Sequence, residues 1–116
     1  MPLALAEGMT LVTMHMKVSA EKRMEFTQTI ISLINSIRKE KGCRRCDFFQ
    51  GLDDAYSLCL IEEWVSKNAY ETHRQSDFFR VLRGAMTLLE EPCQIETYSS
   101  VVPVEKKEID RLQRCE

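Results

Sequence analysis

No stretch of the chain approaches the roughly 20 consecutive apolar residues that a membrane-spanning helix requires, so no such span is expected. The opening, Met1-Pro-Leu-Ala-Leu-Ala-Glu-Gly8, has no positively charged leader, and its apolar run is too short for a signal peptide. A cytoplasmic protein is the expectation. Neither sign of charge dominates: 16 Lys and Arg against 18 Asp and Glu leave a formal charge of -2. No basic block could neutralise a run of phosphates, which argues against a nucleic-acid partner. There is no Gly-rich phosphate loop, no internal repeat and no low-complexity segment. The five cysteines are an odd number and scattered, unlike the paired framework of a small secreted domain, and read as reduced thiols.

What is present is one domain's worth of chain, 116 residues, with clear changes of hydrophobic period. From Met9 to Val18 the residues alternate. Val12, Met14, Met16 and Val18 share one side, and Leu11, Thr13, His15 and Lys17 share the other, as in a strand with one face in a core. From about Ala20 to Lys41 the period becomes helical, with Phe26, Ile30, Leu33, Ile34 and Ile37 on one stripe and Gly42 placed to close the helix in a left-handed conformation. Arg45 to Gln50 and Tyr56 to Trp64 read as strands joined by a turn at Gly51-Leu-Asp-Asp54. Ser66 is placed to cap a short helix to about Arg74. Ser76 caps a second segment whose expected apolar stripe is Phe78, Val81, Leu82, Met86 and Leu89, stopped by Pro92. A last strand spans about Gln94 to Val102, and residues 103 to 116 form a charged tail with spacings that support a short surface helix.

The order βαββαβ predicts an α+β, ferredoxin-like domain over residues 9 to 102: an antiparallel sheet with its helices on one face. The other face would leave Leu11 and an aromatic such as Phe48 or Phe49 wet, so a homodimer packed through the open sheet face is expected.

Gly42-Cys43 entering the second strand, Glu62-Glu63-Trp64-x-Ser66 ending the third, and His73-x-x-Ser76-x-x-Phe79 in the helices that follow resemble the antibiotic biosynthesis monooxygenase family of dimeric α/β barrels. The resemblance covers about residues 9 to 102 and agrees with the independent reading of the element order. It implies a small pocket between sheet and helices, and a menu of activities: cofactor-free oxygenases of aromatic polyketides and quinols, haem-degrading enzymes, an isomerase, and members without an assigned role. A fold that hosts so many chemistries does not choose among them.

Residue by residue, the resemblance places Trp64 and Tyr70 where oxygenases line the pocket, with Phe79 beside them. A Trp suits stacking on a planar ring, and a Tyr hydroxyl suits holding a developing anionic oxygen. Each equally suits plain packing. Leu60 is expected among the substrate-binding residues, at the position where the oxygenases carry an Asn, but the amide that would orient a substrate carbonyl is missing. His73 matches the family's helix His and could act as a general base, or could cap the break between two helical segments. Arg83 falls near an oxygenase Arg, where a fixed guanidinium could bind an anionic group of the substrate, although a solvated helix-surface Arg fits the sequence as well. His15 has no motif behind it. Glu62 and Glu63, adjacent on a strand, point to opposite faces and cannot form a carboxylate pair by themselves; one of them is expected at the sheet edge or the dimer interface.

Cys43-Arg-Arg-Cys46 spells CxxC, but it leaves a helix and enters a strand, whereas a redox CxxC opens a helix. Zinc is not expected, because no second CxxC or His pair supplies the remaining ligands. Haem is not expected either: the haem-degrading members take their axial His from the second helix, and residues 78 to 89 contain none. The combined expectation is a cofactor-free monooxygenase of a small electron-rich aromatic or quinol. In that reading Trp64 stacks the ring, His73 takes the proton and Tyr70 holds the oxygen. Two alternatives stay open: an isomerase using the same pocket, and a non-catalytic dimeric binding or stress-response protein.

Overall fold

The alternation of the first strand is realised residue by residue. In β1, Met9–Lys17, the side chains of Val12, Met14 and Met16 are buried while His15 and Lys17 are exposed. The computed structural model describes residues 8–104, so the expected helix in the tail lies outside the described residues. Helix α1, Arg23–Arg38, buries all five residues of its expected stripe, Phe26, Ile30, Leu33, Ile34 and Ile37. It is shorter than the sequence suggests at both ends. Gly42 does adopt a left-handed φ of +87°, but in the turn that leads into the next strand rather than directly at the helix end. That turn runs so close to a later helix that a Cβ on Gly42 would lie 2.6 Å from the Ala69 Cβ, which gives glycine a steric as well as a conformational reason.

β2, Cys43–Gln50, and β3, Ser57–Trp64, form the expected hairpin. Its turn is closed by Gly51 N–H donating to the Ser57 carbonyl at 2.9 Å, with the Tyr56 N–H held by Asp54 Oδ1 at 3.0 Å. Helices α2, Lys67–Arg74, and α3, Asp77–Ala85, are each capped as predicted. Ser66 Oγ accepts from the Ala69 N–H, and Ser76 Oγ from the Phe79 N–H, both at 3.1 Å. A 3₁₀ turn, Met86–Leu88, then leads to β4, Gln94–Val101.

The α3 stripe differs from expectation. Phe79, Leu82 and Ala85 are buried, whereas Phe78 and Val81 are 37% and 48% exposed. The two candidate stripes lie one residue apart on the helical wheel. Both carry apolar residues, so the rotation of the helix is set by how it docks and not by its own pattern.

The strands make one antiparallel sheet in the order β2-β3-β1-β4, which is the ferredoxin-like arrangement, and it is open rather than closed. The helices cover the face bearing Val12, Met14, Leu60 and Trp64. Register places Leu11, Thr13, His15, Cys59, Ile61 and Phe49 on the opposite face. No described helix is long and apolar enough to cross a membrane.

Candidate functional site

Strand alternation puts Leu60, Glu62 and Trp64 on the helix-covered face, so a carboxylate stands between two large apolar side chains in the core. Glu63 points the other way and meets Arg45 at 3.3 Å. Above Glu62, helical spacing from the Ser66 cap turns Tyr70 and His73 toward the sheet, and both are buried. The His73 imidazole stacks on the Trp64 indole, with centroids 4.6 Å apart and planes 26° apart, and the Phe79 ring meets it edge-on at 5.4 Å. Tyr70 tilts against both rings, at 6.3 Å from His73 and 6.4 Å from Trp64.

The polar atoms of this cluster form a chain. Trp64 Nε1–H donates to Glu62 Oε1 at 2.9 Å. The same oxygen lies 3.6 Å from His73 Nε2, and His73 Nδ1 is 3.0 Å from Glu40 Oε2 and 3.1 Å from Glu40 Oε1. Glu40 comes from the turn after α1. A second carboxylate does join Glu62, then, but through the imidazole and from a residue far away in sequence. Burial pushes the Glu62 carboxyl above its ordinary range; the neighbouring His73 and the Trp64 hydrogen bond oppose that shift without cancelling it. Glu62 Oε2 and His73 Nε2 are buried without a hydrogen-bond partner.

The open space lies beside this cluster. A cleft of about 350 Å³ separates α2 from β4, walled by Tyr70, Phe79, Ile95 and Thr97 with Lys67 and Arg74 at its rim. Burial raises the Tyr70 hydroxyl above its ordinary range, with the nearby Glu62 acting the same way and the Thr97 hydroxyl opposing. Tyr70 therefore stays protonated at neutral pH and can donate.

The residues singled out from the sequence separate into groups. Tyr70 and Phe79 face the cleft. His73 lies one layer deeper, with its side chain fully buried. Trp64 and Leu60 are sealed in the core, at 0% and 1% exposure, so neither presents a surface to a ligand, contrary to the substrate-binding role expected for them. The indole is consumed by its own stack on His73 and its bond to Glu62. Arg83 is exposed on α3 and does not join the cluster, which leaves its expected anion-binding role without a site here. His15 is exposed on the far face of the sheet. Glu40 and Glu62 were not picked out as site residues. Alternation alone places Glu62 inward with Trp64, a signal that was available, whereas nothing local marks Glu40. The CxxC thiols are held protonated: burial pushes Cys43 up to about 11 and Cys46 further still.

The sequence pattern over residues 9–84 matches the family described as antibiotic biosynthesis monooxygenase. The chain belongs to that family. Among relatives of this monooxygenase family member, the candidate monooxygenase YcnE of Bacillus subtilis (strain 168) is 28% identical over 72 residues, 62% of this chain and 76% of that protein. A solved structure of a conserved protein from Methanosarcina mazei Go1 superposes with a TM-score of 0.77 at 25% identity, covering 87% of this chain and 100% of that one. A candidate antibiotic biosynthesis monooxygenase from Nitrosomonas europaea gives a TM-score of 0.77 at 19% identity, covering 85% and 96%. The last of these speaks to fold alone. The monooxygenase family match spans β1 to α3 and so takes in Glu40, Glu62, Trp64, Tyr70 and His73, while β4, which supplies one wall of the cleft, lies beyond it.

Proposed function

We propose that the chain is a cofactor-independent monooxygenase acting on a small electron-rich phenol or quinol held in the α2–β4 cleft. The observation that supports this reading is the position of Tyr70, which borders the cleft on one side and packs against the Trp64–His73 stack on the other. A phenol or quinol that has lost its proton can reduce O₂ by one electron, and the aryloxyl radical and superoxide then combine at a ring carbon that still bears hydrogen, para in a simple phenol and ortho in a quinol. Loss of water from that hydroperoxide leaves the quinone, so one phenol and one O₂ give one quinone and one water. Tyr70 donates to the developing anionic oxygen. In this reading His73, packed behind Tyr70, is the group that takes the substrate proton, with Glu40 fixing the imidazole through Nδ1. Lost water and pre-set geometry supply much of the acceleration.

The complete burial of Trp64 and His73 favours one other reading, a non-catalytic binding protein whose cleft alone takes a ligand. Oxygen uptake and quinone formation with a panel of phenols and quinols separate the two. Uptake that depends on Tyr70 supports the oxygenase. Binding without any uptake across the panel gives the second reading. An isomerase would act on its substrate equally well without O₂.

We also propose a homodimer through the open sheet face. Phe49 and Tyr98 on that face are 43% and 46% exposed, and Thr13 Oγ1 is buried there without a partner. Such a face gains by being covered.

A further inference from the structure

Beyond the class of ring, the cleft carries information about what the ring bears. Lys67, Tyr70, Glu71 and Arg74 follow one another along the same side of α2, at spacings that stack side chains on one face of a helix. Across from them, β4 contributes Ile95, Thr97 and Ser99, which carry no charge. All the formal charge of the cleft is therefore on one wall. Within that wall, Arg74 is already engaged: its guanidinium lies 3.2 Å from Glu71 Oε1 and over the Tyr70 ring at 6.0 Å from the centroid. Glu71 is thereby offset. Lys67 has no ion-pair or hydrogen-bond partner among the described residues, though it lines the same cleft as Tyr70. The wall keeps one uncompensated positive charge. It lies about 4.5 Å along the helix axis from Tyr70, from the rise over three residues.

A neutral quinol would leave that ammonium facing water and would gain nothing from it. We propose that the ligand of this cleft is an aromatic carboxylate, with its anionic group at Lys67 and a phenolic oxygen at Tyr70 one turn further along α2. This assignment rests on the proposal that the cleft takes a small phenol or quinol, and it adds the polarity with which such a ring enters. Phe79 and Ile95 offer apolar surface to the ring, and Lys67 and Tyr70 offer polar groups to its substituents. Lys67 then acts in specificity and orientation: the carboxylate–ammonium contact is the same before and during the oxygen chemistry, so it tightens binding without changing the chemical step.

The test is binding in the absence of oxygen, so that no turnover intrudes. Equilibrium dialysis of the full chain compares 2,5-dihydroxybenzoate with hydroquinone, which differ only in the carboxylate. The expected result is roughly 3- to 10-fold tighter binding of the carboxylate, as for one charge-assisted contact at a half-open site. Raising the salt concentration should shrink that preference. Lys67→Gln should remove it and Lys67→Arg should retain it; Lys67 is exposed, so both variants are expected to fold, which an unchanged thermal midpoint verifies. Equal affinities in the wild type, a preference that survives Lys67→Gln, or no binding of either compound would each overturn the assignment. Oxygen uptake is scored separately. A carboxylate preference with no uptake upholds the ligand assignment and sinks only the oxygenase, whereas uptake of neutral quinols alone does the reverse.

Discussion

His73 Nδ1 sits 3.0 Å from Glu40 Oε2, tying α2 to the turn that follows α1 across 33 residues of sequence. The imidazole is buried and the carboxylate is only slightly exposed, so the pair is screened less than a surface ion pair. Glu40→Ala removes the partner and leaves a buried ring nitrogen unpaired. The expected cost is about 1–3 kcal/mol of folding stability, read from urea denaturation at neutral pH. A change within a few tenths of a kcal/mol would show that the contact is incidental.

Glu62 makes stability depend on pH in a definite direction. Its carboxyl is raised above the ordinary 4.5 by burial, so the folded state holds the proton more tightly than the unfolded chain does. Its contribution is fully present below about 4.5 and is lost as pH rises through the higher folded-state value. Glu62→Gln keeps an acceptor for Trp64 without an ionisable group. The variant should therefore gain on the wild type as pH is raised above the unfolded value, in denaturation curves taken at a series of pH values. A constant difference across that range would contradict the burial argument.

Trp64 distinguishes packing from binding. Its indole is fully buried and bonded to Glu62, so Trp64→Phe should cost about 2–4 kcal/mol through lost volume and an unpaired carboxylate oxygen. Ligand affinity, measured where the variant is still folded, should stay within about twofold, since the ring has no surface in the cleft and twofold is only some 0.4 kcal/mol.

Tyr70→Phe asks about chemistry with little change of shape. If the hydroxyl stabilises the anion formed from the substrate, kcat for oxygen uptake should fall roughly 100-fold while substrate affinity changes little. Retention of full turnover would remove Tyr70 from the mechanism.

The open sheet face predicts the oligomer. Ile61 lies beside Thr13 at the centre of that face. Ile61→Arg should convert a dimer into a monomer in sedimentation velocity, because an unpaired guanidinium would be buried at the contact. A wild-type chain that sediments as a monomer at every concentration tested would refute the dimer outright.

What could be read from the sequence was what repeats locally. The alternation of β1, the α1 stripe, the Ser66 and Ser76 caps and the order βαββαβ each depend on neighbours within a few residues, and each stands in the structure. Tyr70 and His73 could be named through the resemblance to the monooxygenase family, whose pattern around Trp64 and Ser66 is itself local. What the sequence did not decide was rotation and company. The phase of α3 is set by which of two adjacent apolar stripes docks, and Trp64 was assigned to a ligand because a pattern does not show how completely a ring is enclosed. Glu40 joins His73 and Glu62 only because antiparallel pairing and the return of α2 over the sheet bring three distant segments to one point. Those contacts are the sum of many long-range packing choices, and no short window of the chain contains them.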